Sequence, residues 1–276
     1  VGNDLIFYCE GNFASSRIYR SESGGNMEFV NKPDATTVVQ GEFSLKSLSH
    51  FIKCTPLCSN LEIYNSINDF KDYPDIILDC AGHSALKDYA SKALLKGINF
   101  ITLSSGALCD KKLYSDIKNS EKKGQAKFII APGAIGSLDI LSSASSGGIY
   151  AVNYVGRKPS EGWLGSRAEK VIDLQNLSDQ PEVHFSGNAR EASKLYPKNA
   201  NVTATIAIAG IGFEKTKVKL IADNSITENI HELSILGKFG SSNFKISGKP
   251  LADNPKSSSL AAMSMVYEVK KFLEIL

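Results

Sequence analysis

In the first half of the chain, short apolar runs alternate with longer polar or amphipathic stretches. Short apolar runs are typical of buried strands, and the longer stretches are typical of helices that cover a sheet. The runs predict strands at 5–8, 27–30, 61–64, 76–78, 98–103 and 128–131. The longer stretches predict helices at 15–22, 45–52, 85–95 and 111–123. This alternation predicts an α/β fold, in which an open, mostly parallel sheet carries helices on both faces.

The pattern changes after about residue 140, where strands become more frequent than helices. Strands are predicted at 149–155, 171–174, 183–185, 217–222 and 244–246, and helices at 189–195 and 200–209. The segment 257–276 has apolar residues along one side, which predicts a terminal helix. We therefore predict a first domain at 1–140, a smaller α+β domain with a mixed sheet at 141–254, and a C-terminal helix at 255–276 that packs back on the first domain.

Charge and composition narrow the classes of partner. The chain has 31 basic and 29 acidic side chains, which gives a net charge of +2. Nucleic acids and anionic membranes normally require concentrated positive charge, so neither is expected as a partner. No apolar run approaches the ~20 residues that cross a bilayer, and the first ten residues lack the pattern of a signal peptide. A cytoplasmic protein with a small-molecule substrate is the expectation.

The five cysteines do not form a recognisable framework. They are Cys9, Cys54, Cys58, Cys80 and Cys109. An odd number without paired spacing is typical of reduced thiols in or near the core. A metal site at Cys54 and Cys58 would need two more ligands, and only His50 is near in sequence, so no metal is predicted. The role of these two cysteines is left open.

The turn after the first predicted strand partly matches a dinucleotide-binding fingerprint. A Rossmann-type, doubly wound sheet carries G-x-G-x-x-G/A there, for a tight turn, close approach to the pyrophosphate and close helix packing. Here the three positions hold Cys9, Gly11 and Ala14. Gly11 and Ala14 fit the pattern and are predicted cofactor contacts, whereas Cys9 departs from it. An ordinary strand–helix turn is the alternative interpretation.

The choice between NAD and NADP depends on the end of the second predicted strand. An acidic residue there would bind the adenosine 2′-hydroxyl. Asn31 and Lys32 occupy this place. An uncharged residue followed by a base suits a 2′-phosphate at least as well, which favours NADP or use of both cofactors. A simple polar loop is the alternative.

Three further turns follow predicted apolar strands, at 79–83, 104–107 and 131–136. Small residues at the carboxyl ends of neighbouring strands leave room for a ligand in the crevice of an open sheet. Glycine is common in ordinary turns, but three such turns in register favour a binding crevice. The residues predicted to contact cofactor in these turns are Gly82, His83, Ser105 and Ala134.

At this point the sequence resembles the L-aspartate dehydrogenases. The first-half blocks that carry the resemblance are DCAGH at 79–83, SGAL at 105–108 and PGAIGSLD at 132–139. The second-half blocks are GRKP at 156–159, GNAREA at 187–192, YPKNANV at 196–202, AGIG at 209–212, NIHE at 229–232, GKFG at 237–240 and NPKS at 254–257. The resemblance spans roughly 76–260, whereas residues 1–75 match in layout alone.

The resemblance implies oxidation of L-aspartate to iminoaspartate with reduction of NAD or NADP, followed by release of oxaloacetate and ammonia. In such enzymes the imino product can feed quinolinate and NAD biosynthesis. By matching motifs, His231 is expected to be the catalytic histidine, and Ala134 and Asn201 are expected to contact the cofactor near its nicotinamide. Dehydrogenases of this size are often homodimers, which is the expected assembly.

The chemistry of the reaction also requires a proton carrier. Hydride leaves the α-carbon only when the amine is unprotonated, and water must then attack the imine; an imidazole that titrates near neutrality can carry these protons. His231 is expected in a polar loop, where Glu232 could orient it, and His83 is expected to line the crevice. Without the resemblance, the two would be nearly equal candidates. His184 is expected to be a surface or packing residue, and His50 lies in a predicted helix.

A dicarboxylate substrate needs cationic and hydrogen-bonding partners. Lys198 and Asn199 are the predicted substrate-binding residues. For Arg157 and Lys158, exposure to solvent at the surface is the expectation, as for most basic side chains.

Two other functions are compatible with the sequence. A non-catalytic relative with weakened dinucleotide binding would explain Cys9, although His231 and the run 198–201 are intact. A dehydrogenase of altered specificity, acting on another small amino or imino acid, would share the same motifs. Enzymatic oxidation of aspartate is the favoured prediction.

Overall fold

A computed structural model describes residues 4–10, 15–21, 66–70, 72–178, 180–197, 199–251 and 254–274. In 4–10 and 15–21 the backbone alone is described. The chain divides into two compact units, residues 1–63 and residues 64–276. In the described residues, no helix is long and apolar enough to cross a membrane.

The first unit contains an antiparallel hairpin of β1 (Asp4–Glu10) and β2 (Ser15–Ser21), in which Cys9 pairs with Ser16. The strand at 5–8 is therefore confirmed, but the helix at 15–22 is wrong. Ile18 and Tyr19 favour a strand, and the segment has no apolar stripe that would hold a helix against a core. The predicted elements at 27–30, 45–52 and 61–64 lie outside the described residues, as do Gly11 and Ala14.

The second unit contains the remaining regular elements. Its strands are β3 (Ile76–Asp79), β4 (Asn99–Thr102), β5 (Phe128–Ile130), β6 (Ile149–Lys158), β7 (Glu182–Asn188), β8 (Lys217–Ala222), β9 (Asn229–Gly237), β10 (Gly240–Gly248), β11 (Pro250–Leu251) and β12 (Asn254–Ser258). Its α helices are α1 (His83–Leu95), α2 (Lys111–Gly124), α3 (Leu138–Gly147), α4 (Ala189–Leu195), α5 (Asn201–Ala209) and α6 (Ser259–Phe272). Short 3₁₀ helices occupy 67–69, 105–109, 160–163 and 167–170.

A parallel sheet of order β3-β4-β5 has helices on both faces. Successive side chains of a strand point to opposite faces, and β4 shows the consequence. Phe100 packs with Leu86 of α1 and Ile117 of α2, whereas Ile101 packs with Met265 of α6 on the other face. The predicted α/β fold with a parallel sheet is confirmed.

A five-stranded mixed sheet of order β10-β9-β6-β8-β7 forms the other half of this unit. β6 and β8 are parallel, and the other neighbours are antiparallel. Its inner face packs on α4 and α5, with Val152, Leu220 and Leu233 among the buried residues. The predicted mixed sheet is confirmed.

Two predictions of local structure are wrong in this half. Residues 171–174 form a turn rather than a strand, because the Asp173 side chain accepts the backbone N–H groups of Gln175 and Asn176 and closes an Asx turn. The polar loop expected around His231 is strand β9. Asn229 and His231 face inward, so polar residues occupy positions at which a strand pattern would show apolar ones.

Candidate active site

A buried carboxylate joins the turns that follow β3 and β4. Asp79 Oδ2 accepts a hydrogen bond from Thr102 Oγ1 at 2.7 Å, and its Oδ1 accepts from the N–H of Ala81 at 3.1 Å. Thr102 Oγ1 in turn accepts from the N–H of Ser104 at 2.8 Å. These bonds fix the carboxyl ends of two neighbouring parallel strands relative to each other, which is the place where open sheets bind ligands.

Glycines leave open space in two of the three predicted turns. Gly82, before α1, and Gly133, after β5, have φ values of +100° and +71°, a region that non-glycine residues rarely adopt. A Cβ at either position would meet no atom within 4 Å in the described structure. The chain can therefore approach a ligand closely at both turns.

His83, Gly106 and Asn201 form one hydrogen-bonded group. Asn201 Oδ1 lies 3.0 Å from His83 Nε2 and accepts the N–H of Gly106 at 3.0 Å. Because this oxygen can accept and cannot donate, His83 Nε2 must carry the hydrogen. His83 therefore holds Asn201 in place, and its Nε2 is not available as a base.

The Ser105 hydroxyl makes its hydrogen bonds to other residues of the protein. It donates to the carbonyl oxygen of Asn201 at 2.8 Å and lies 2.8 Å from Thr205 Oγ1, and the residue is 1% exposed. Ser105 therefore anchors the start of α5 to the turn after β4. The structure places it beside the predicted cofactor contacts.

Gly106 is required by this arrangement. An added Cβ would lie 2.7 Å from His83 Nε2 and 2.9 Å from Asn201 Oδ1, so Gly106→Ala must displace both side chains. We expect the apparent KM for the cofactor to rise by about tenfold, as the loss of roughly one hydrogen bond implies. Steady-state kinetics with varied NAD and NADP checks this, with Gly147→Ala as the control. Unchanged cofactor KM values would contradict a role for this group in binding.

The turn that contains Ala134 is held from two sides. The N–H of Gly133 donates to Ser264 Oγ of α6 at 3.0 Å, and Gly136 faces Ile246 of β10. Ile246 pairs with His231 in the β9–β10 register. Ala134 therefore belongs to a turn that reaches the inner part of the mixed sheet, where the predicted catalytic histidine lies.

His231 is buried and is held by a tyrosine. It is 4% exposed, and its Nδ1 lies 2.8 Å from the Tyr154 hydroxyl. Gly156 is the cross-strand partner of His231, and a Cβ there would lie 2.7 Å from the Tyr154 hydroxyl. The expected orientation by Glu232 is wrong, because consecutive side chains of a strand point to opposite faces; the Glu232 carboxylate lies 3.8 Å from Lys245 Nζ.

The environment keeps the His231 imidazole neutral. Burial, with a smaller contribution from the positive charge of Lys158, lowers the pKa of His231 to about 3. Burial also raises the pKa of Tyr154, so its hydroxyl keeps its proton. The expectation of an imidazole that titrates near neutrality is therefore not met in this structure. For Nε2 to accept a proton, Nδ1 must carry the hydrogen and donate it to the Tyr154 oxygen.

Lys158 is buried, contrary to the expected surface position. It is 7% exposed, its Nζ lies 5.3 Å from the centroid of the Trp163 ring, and burial lowers its pKa to about 8. Its neighbour Arg157 donates to Asp223 Oδ2 at 2.9 Å and is also not a free surface residue. Sequence reasoning missed Lys158, although alternation along β6 with Val152 and Tyr154 places it on the inner face.

Asn199 lies close to the buried Lys158 side chain. Its Nδ2 donates to the carbonyl oxygen of Gly162 at 3.3 Å, and a Cβ on Gly162 would contact the Lys158 stem at 3.1 Å. Two residues later, Asn201 joins the group around His83. Lys198 lies outside the described residues. The segment 199–201 therefore connects the parallel-sheet turns with the buried lysine.

His184 is a packing residue, one of the two roles expected for it. Its Nδ1 lies 3.0 Å from the Tyr196 hydroxyl, and its ring centroid is 4.3 Å from that of Trp163. Burial lowers its pKa to about 4. Its Nε2 is buried and has no hydrogen-bond partner in the described part of the chain.

These buried histidines predict acid sensitivity. The unfolded chain binds more protons than the folded one between about pH 6.5 and 4, so the free energy of unfolding must fall as the pH falls through that range. A histidine with a pKa lowered to about 4 contributes about 2 kcal/mol of this loss at pH 5. Urea unfolding of the wild type and His184→Asn at pH 7.5 and 5 measures it. We expect a shallower pH dependence for His184→Asn; equal dependence would contradict the buried neutral state.

A cavity of about 650 Å³ borders His83 and Gly106. Its wall carries more cationic than anionic side chains. The cationic residues are Lys87, Lys111, Arg190 and Lys194, and the acidic residues are Asp110 and Glu214. This balance suits a ligand with phosphate or carboxylate groups.

Within the described ranges, no group of three or more histidine, cysteine or acidic residues is arranged to hold a metal ion. Cys54 and Cys58 lie outside those ranges.

The parallel sheet, its small-residue turns and the separate mixed sheet are typical of nicotinamide-dependent dehydrogenases. Comparison with known families agrees with this class. Residues 34–131 match the family described as homoserine dehydrogenase, NAD binding domain. The match begins after the turn that contains Cys9, Gly11 and Ala14, so that turn lies outside it.

The second half of the chain matches a narrower family. Residues 139–272 match the family described as aspartate dehydrogenase, C-terminal. The L-aspartate dehydrogenase of Ruegeria pomeroyi is 43% identical over 211 residues, 76% of each chain, and that of Pseudomonas aeruginosa is 45% identical over 193 residues, 70% of this chain and 72% of the other. The crystal structure of aspartate dehydrogenase from Thermotoga maritima is 26% identical, covers 81% of this chain and 91% of its own, and has a TM-score of 0.60. The chain belongs to the L-aspartate dehydrogenase family.

Proposed function

We propose that this protein oxidises L-aspartate with NAD or NADP, giving iminoaspartate and then oxaloacetate and ammonia. The observation that carries the proposal is the buried Tyr154–His231 pair, 2.8 Å apart, in a chain of the L-aspartate dehydrogenase family. Membership of this family supports L-aspartate as the substrate, and the geometry supports His231 as the catalytic histidine.

The described residues fit a nicotinamide cofactor at the carboxyl edge of the parallel sheet. Gly82 and Gly133 leave open space there, and Ala134 lies in the second of these turns. Asn201 is held through its Oδ1, and its Nδ2 group is proposed to donate to the cofactor. We propose Gly82, His83, Ala134 and Asn201 as the cofactor site, with Ser105 supporting Asn201 from behind. When bound, NAD or NADP supplies the acceptor for the hydride.

His231 is proposed to handle the protons of the reaction. Its neutral Nε2 accepts a proton from the α-ammonium group of aspartate, so that the amine lone pair can form the C=N bond as hydride leaves the α-carbon. The protonated Nε2 then gives this proton to solvent, so that it is neutral again when water adds to the iminium carbon and can accept the proton that the water releases. Nε2 returns that proton to the amino nitrogen, the C–N bond breaks and ammonia leaves, and the hydroxyl group loses its proton to solvent as the carbonyl of oxaloacetate forms. Tyr154 keeps the ring oriented throughout by its bond to Nδ1.

Several finer assignments belong to the same proposal. Lys198 and Asn199 are proposed to bind the substrate, with support from the contact of Asn199 with the turn beside Lys158. Gly11 and Ala14 are proposed cofactor contacts in the first unit. A cytoplasmic homodimer that feeds NAD biosynthesis is the proposed setting, supported by the resemblance to this family; light scattering of the purified chain tests the dimer.

The β1–β2 hairpin raises the alternative of a non-catalytic or altered relative. A hairpin differs from the strand–turn–helix unit that usually holds the pyrophosphate. The Tyr154–His231 pair and the open turns at Gly82 and Gly133 support the enzyme over this alternative. Fluorescence titration with NAD and NADP, combined with an assay of L-aspartate-dependent absorbance of the reduced cofactor, tests the proposal. Saturable binding with turnover supports it; binding without turnover on aspartate, or absence of binding, would overturn it.

A further inference from the structure

The cavity of about 650 Å³ is lined by elements from both halves of the second unit. The parallel-sheet half supplies Lys87 of α1 and Cys109, and the mixed-sheet half supplies Arg190 and Lys194 of α4. Pockets that bind small molecules have volumes of roughly 300–1,000 Å³, so this cavity has room for such a ligand.

The cavity meets the proposed cofactor site along one wall. His83 belongs to both, whereas Gly82, Ala134 and Asn201 do not line the cavity in the described structure. Neither the cofactor contacts nor the proton transfers proposed above use the basic residues of the cavity. A ligand in the cavity therefore has a position of its own beside the cofactor.

The positive charge around this cavity is only partly paired. Of the two acidic residues in its wall, Asp110 is used as the N-cap of α2, and Glu214 accepts a hydrogen bond from Arg190. Lys87 and Lys194 make no hydrogen bond or ion pair with the residues that the structure describes. Two ammonium groups therefore border the cavity without a counter-charge from this part of the chain.

These charges also converge in space. Burial raises the pKa of the Cys109 thiol, and the positive charges of Arg190, Lys194 and Lys87 oppose that rise, so all three cations lie around one point of the wall. Arg190 and Lys194 are four residues apart on α4, a spacing at which like charges repel. An anion bound between the three cations would offset this repulsion.

A buried hydroxyl group adds a further polar atom to the wall. Ser193 lies on the same side of α4 as Arg190 and Lys194, is 2% exposed and borders the cavity. Its Oγ has no hydrogen-bond partner within the described ranges. A buried polar group without a partner calls for an explanation in a native structure, and a bound water or ion is one. The Ser193 hydroxyl is therefore available to a ligand.

The remaining donors favour phosphate over carboxylate. A carboxylate is recognised best by the planar fork of an arginine, but two N–H groups of Arg190 already bond to Glu214 and to the carbonyl oxygen of Cys109. Lysine ammonium groups act as point charges, which suit the several oxygens of a phosphate. We propose that this cavity binds a small molecule through a phosphate group held by Lys87, Lys194 and the remaining N–H groups of Arg190.

Cys109 provides a direct readout, because its half-buried thiol borders the cavity. Alkylation by iodoacetamide is followed by mass spectrometry of the Cys109 peptide, with exposed Cys80 as the internal reference. Inorganic phosphate is compared with malonate, a dicarboxylate of the same charge, at slightly alkaline pH and constant ionic strength. We expect phosphate to slow alkylation of Cys109 in a saturable way and to leave Cys80 unchanged, and malonate to do so much more weakly.

Paired lysine variants test which residues hold the anion. In Lys87→Gln/Lys194→Gln, the phosphate concentration that gives half-protection should rise at least about tenfold, as loss of charge-assisted hydrogen bonds implies. The matched control is Lys122→Gln/Lys123→Gln, which removes two exposed lysines of α2 outside the cavity and should behave like the wild type. Absence of protection in the wild type, or equal protection in both double variants, would overturn the site.

The cofactor is the other possible source of a phosphate group. The titration is therefore repeated with saturating NAD and with saturating NADP. Protection of Cys109 by inorganic phosphate that persists with either cofactor bound supports a separate site. If NAD or NADP alone protects Cys109 and displaces phosphate, the cavity holds the cofactor's own phosphates and the inference is wrong. Equal protection by malonate and phosphate would overturn the assignment to phosphate.

Discussion

Replacing His231 by asparagine is expected to lower kcat for aspartate oxidation by about 10³-fold, the scale of a lost general base. The asparagine Nδ2 can still donate to the Tyr154 hydroxyl, so the strand pairing and the buried bond are largely kept. What is removed is Nε2, the atom proposed to accept protons. Steady-state turnover with L-aspartate and saturating NAD or NADP measures the loss.

The control is cofactor affinity. His231 is not among the proposed cofactor contacts, so His231→Asn should bind NAD and NADP within about twofold of the wild type, a difference of only a few tenths of a kcal/mol. A matched variant, His83→Asn, should instead weaken cofactor binding and keep more of kcat, because His83 holds Asn201. If His231→Asn turned over like the wild type, the assignment of the base would be wrong.

Gly124→Ala is expected to give the largest loss of stability. Gly124 ends α2, and a Cβ there would lie 1.7 Å from the carbonyl oxygen of Leu94 in α1. The colliding atom is backbone, so the two helices must separate rather than a side chain move aside. We expect the free energy of unfolding to fall by about 3 kcal/mol or more, measured by urea denaturation with Trp163 fluorescence.

Gly147→Ala is the matched control for this change. Gly147 ends α3, and an added Cβ would meet no atom within 4 Å in the described structure. Alanine is a better helix residue than glycine, so this variant should be unchanged or more stable by up to about 1 kcal/mol. Equal stabilities of Gly124→Ala and Gly147→Ala would show that α1 and α2 do not approach as closely as described.

The regular part of the fold could be predicted from the sequence because its patterns are undisturbed. β8 and α4 were predicted with the bounds that the structure has, since apolar residues alternate in the first and recur at helical spacing in the second. β2 was missed because its seven residues are largely polar, so apolar residues recur at neither the strand period nor the helix period. β9 was missed because two of its inward positions hold Asn229 and His231.

Only part of the candidate site could be predicted from the sequence, for a similar reason. The turn residues Gly82 and Ala134 follow strands and are visible in sequence, whereas the bond between His83 and Asn201 joins residues 118 positions apart. Tyr154 gave no signal as the partner of His231, because cross-strand register cannot be read from one sequence. Lys158 was assigned to the surface by the usual behaviour of lysine, although its alternation with Tyr154 along β6 marked the inner face.

The hydrogen on the α-carbon of aspartate should pass directly to the cofactor, in a reaction that depends on His231. L-Aspartate carrying deuterium at that carbon is incubated with the wild type and NAD or NADP, and the products are analysed by mass spectrometry. We expect one deuterium in each reduced cofactor, with equal amounts of oxaloacetate and ammonia, and almost none of these products with His231→Asn. Reduced cofactor without deuterium, or deuterated cofactor formed equally fast by His231→Asn, would contradict it.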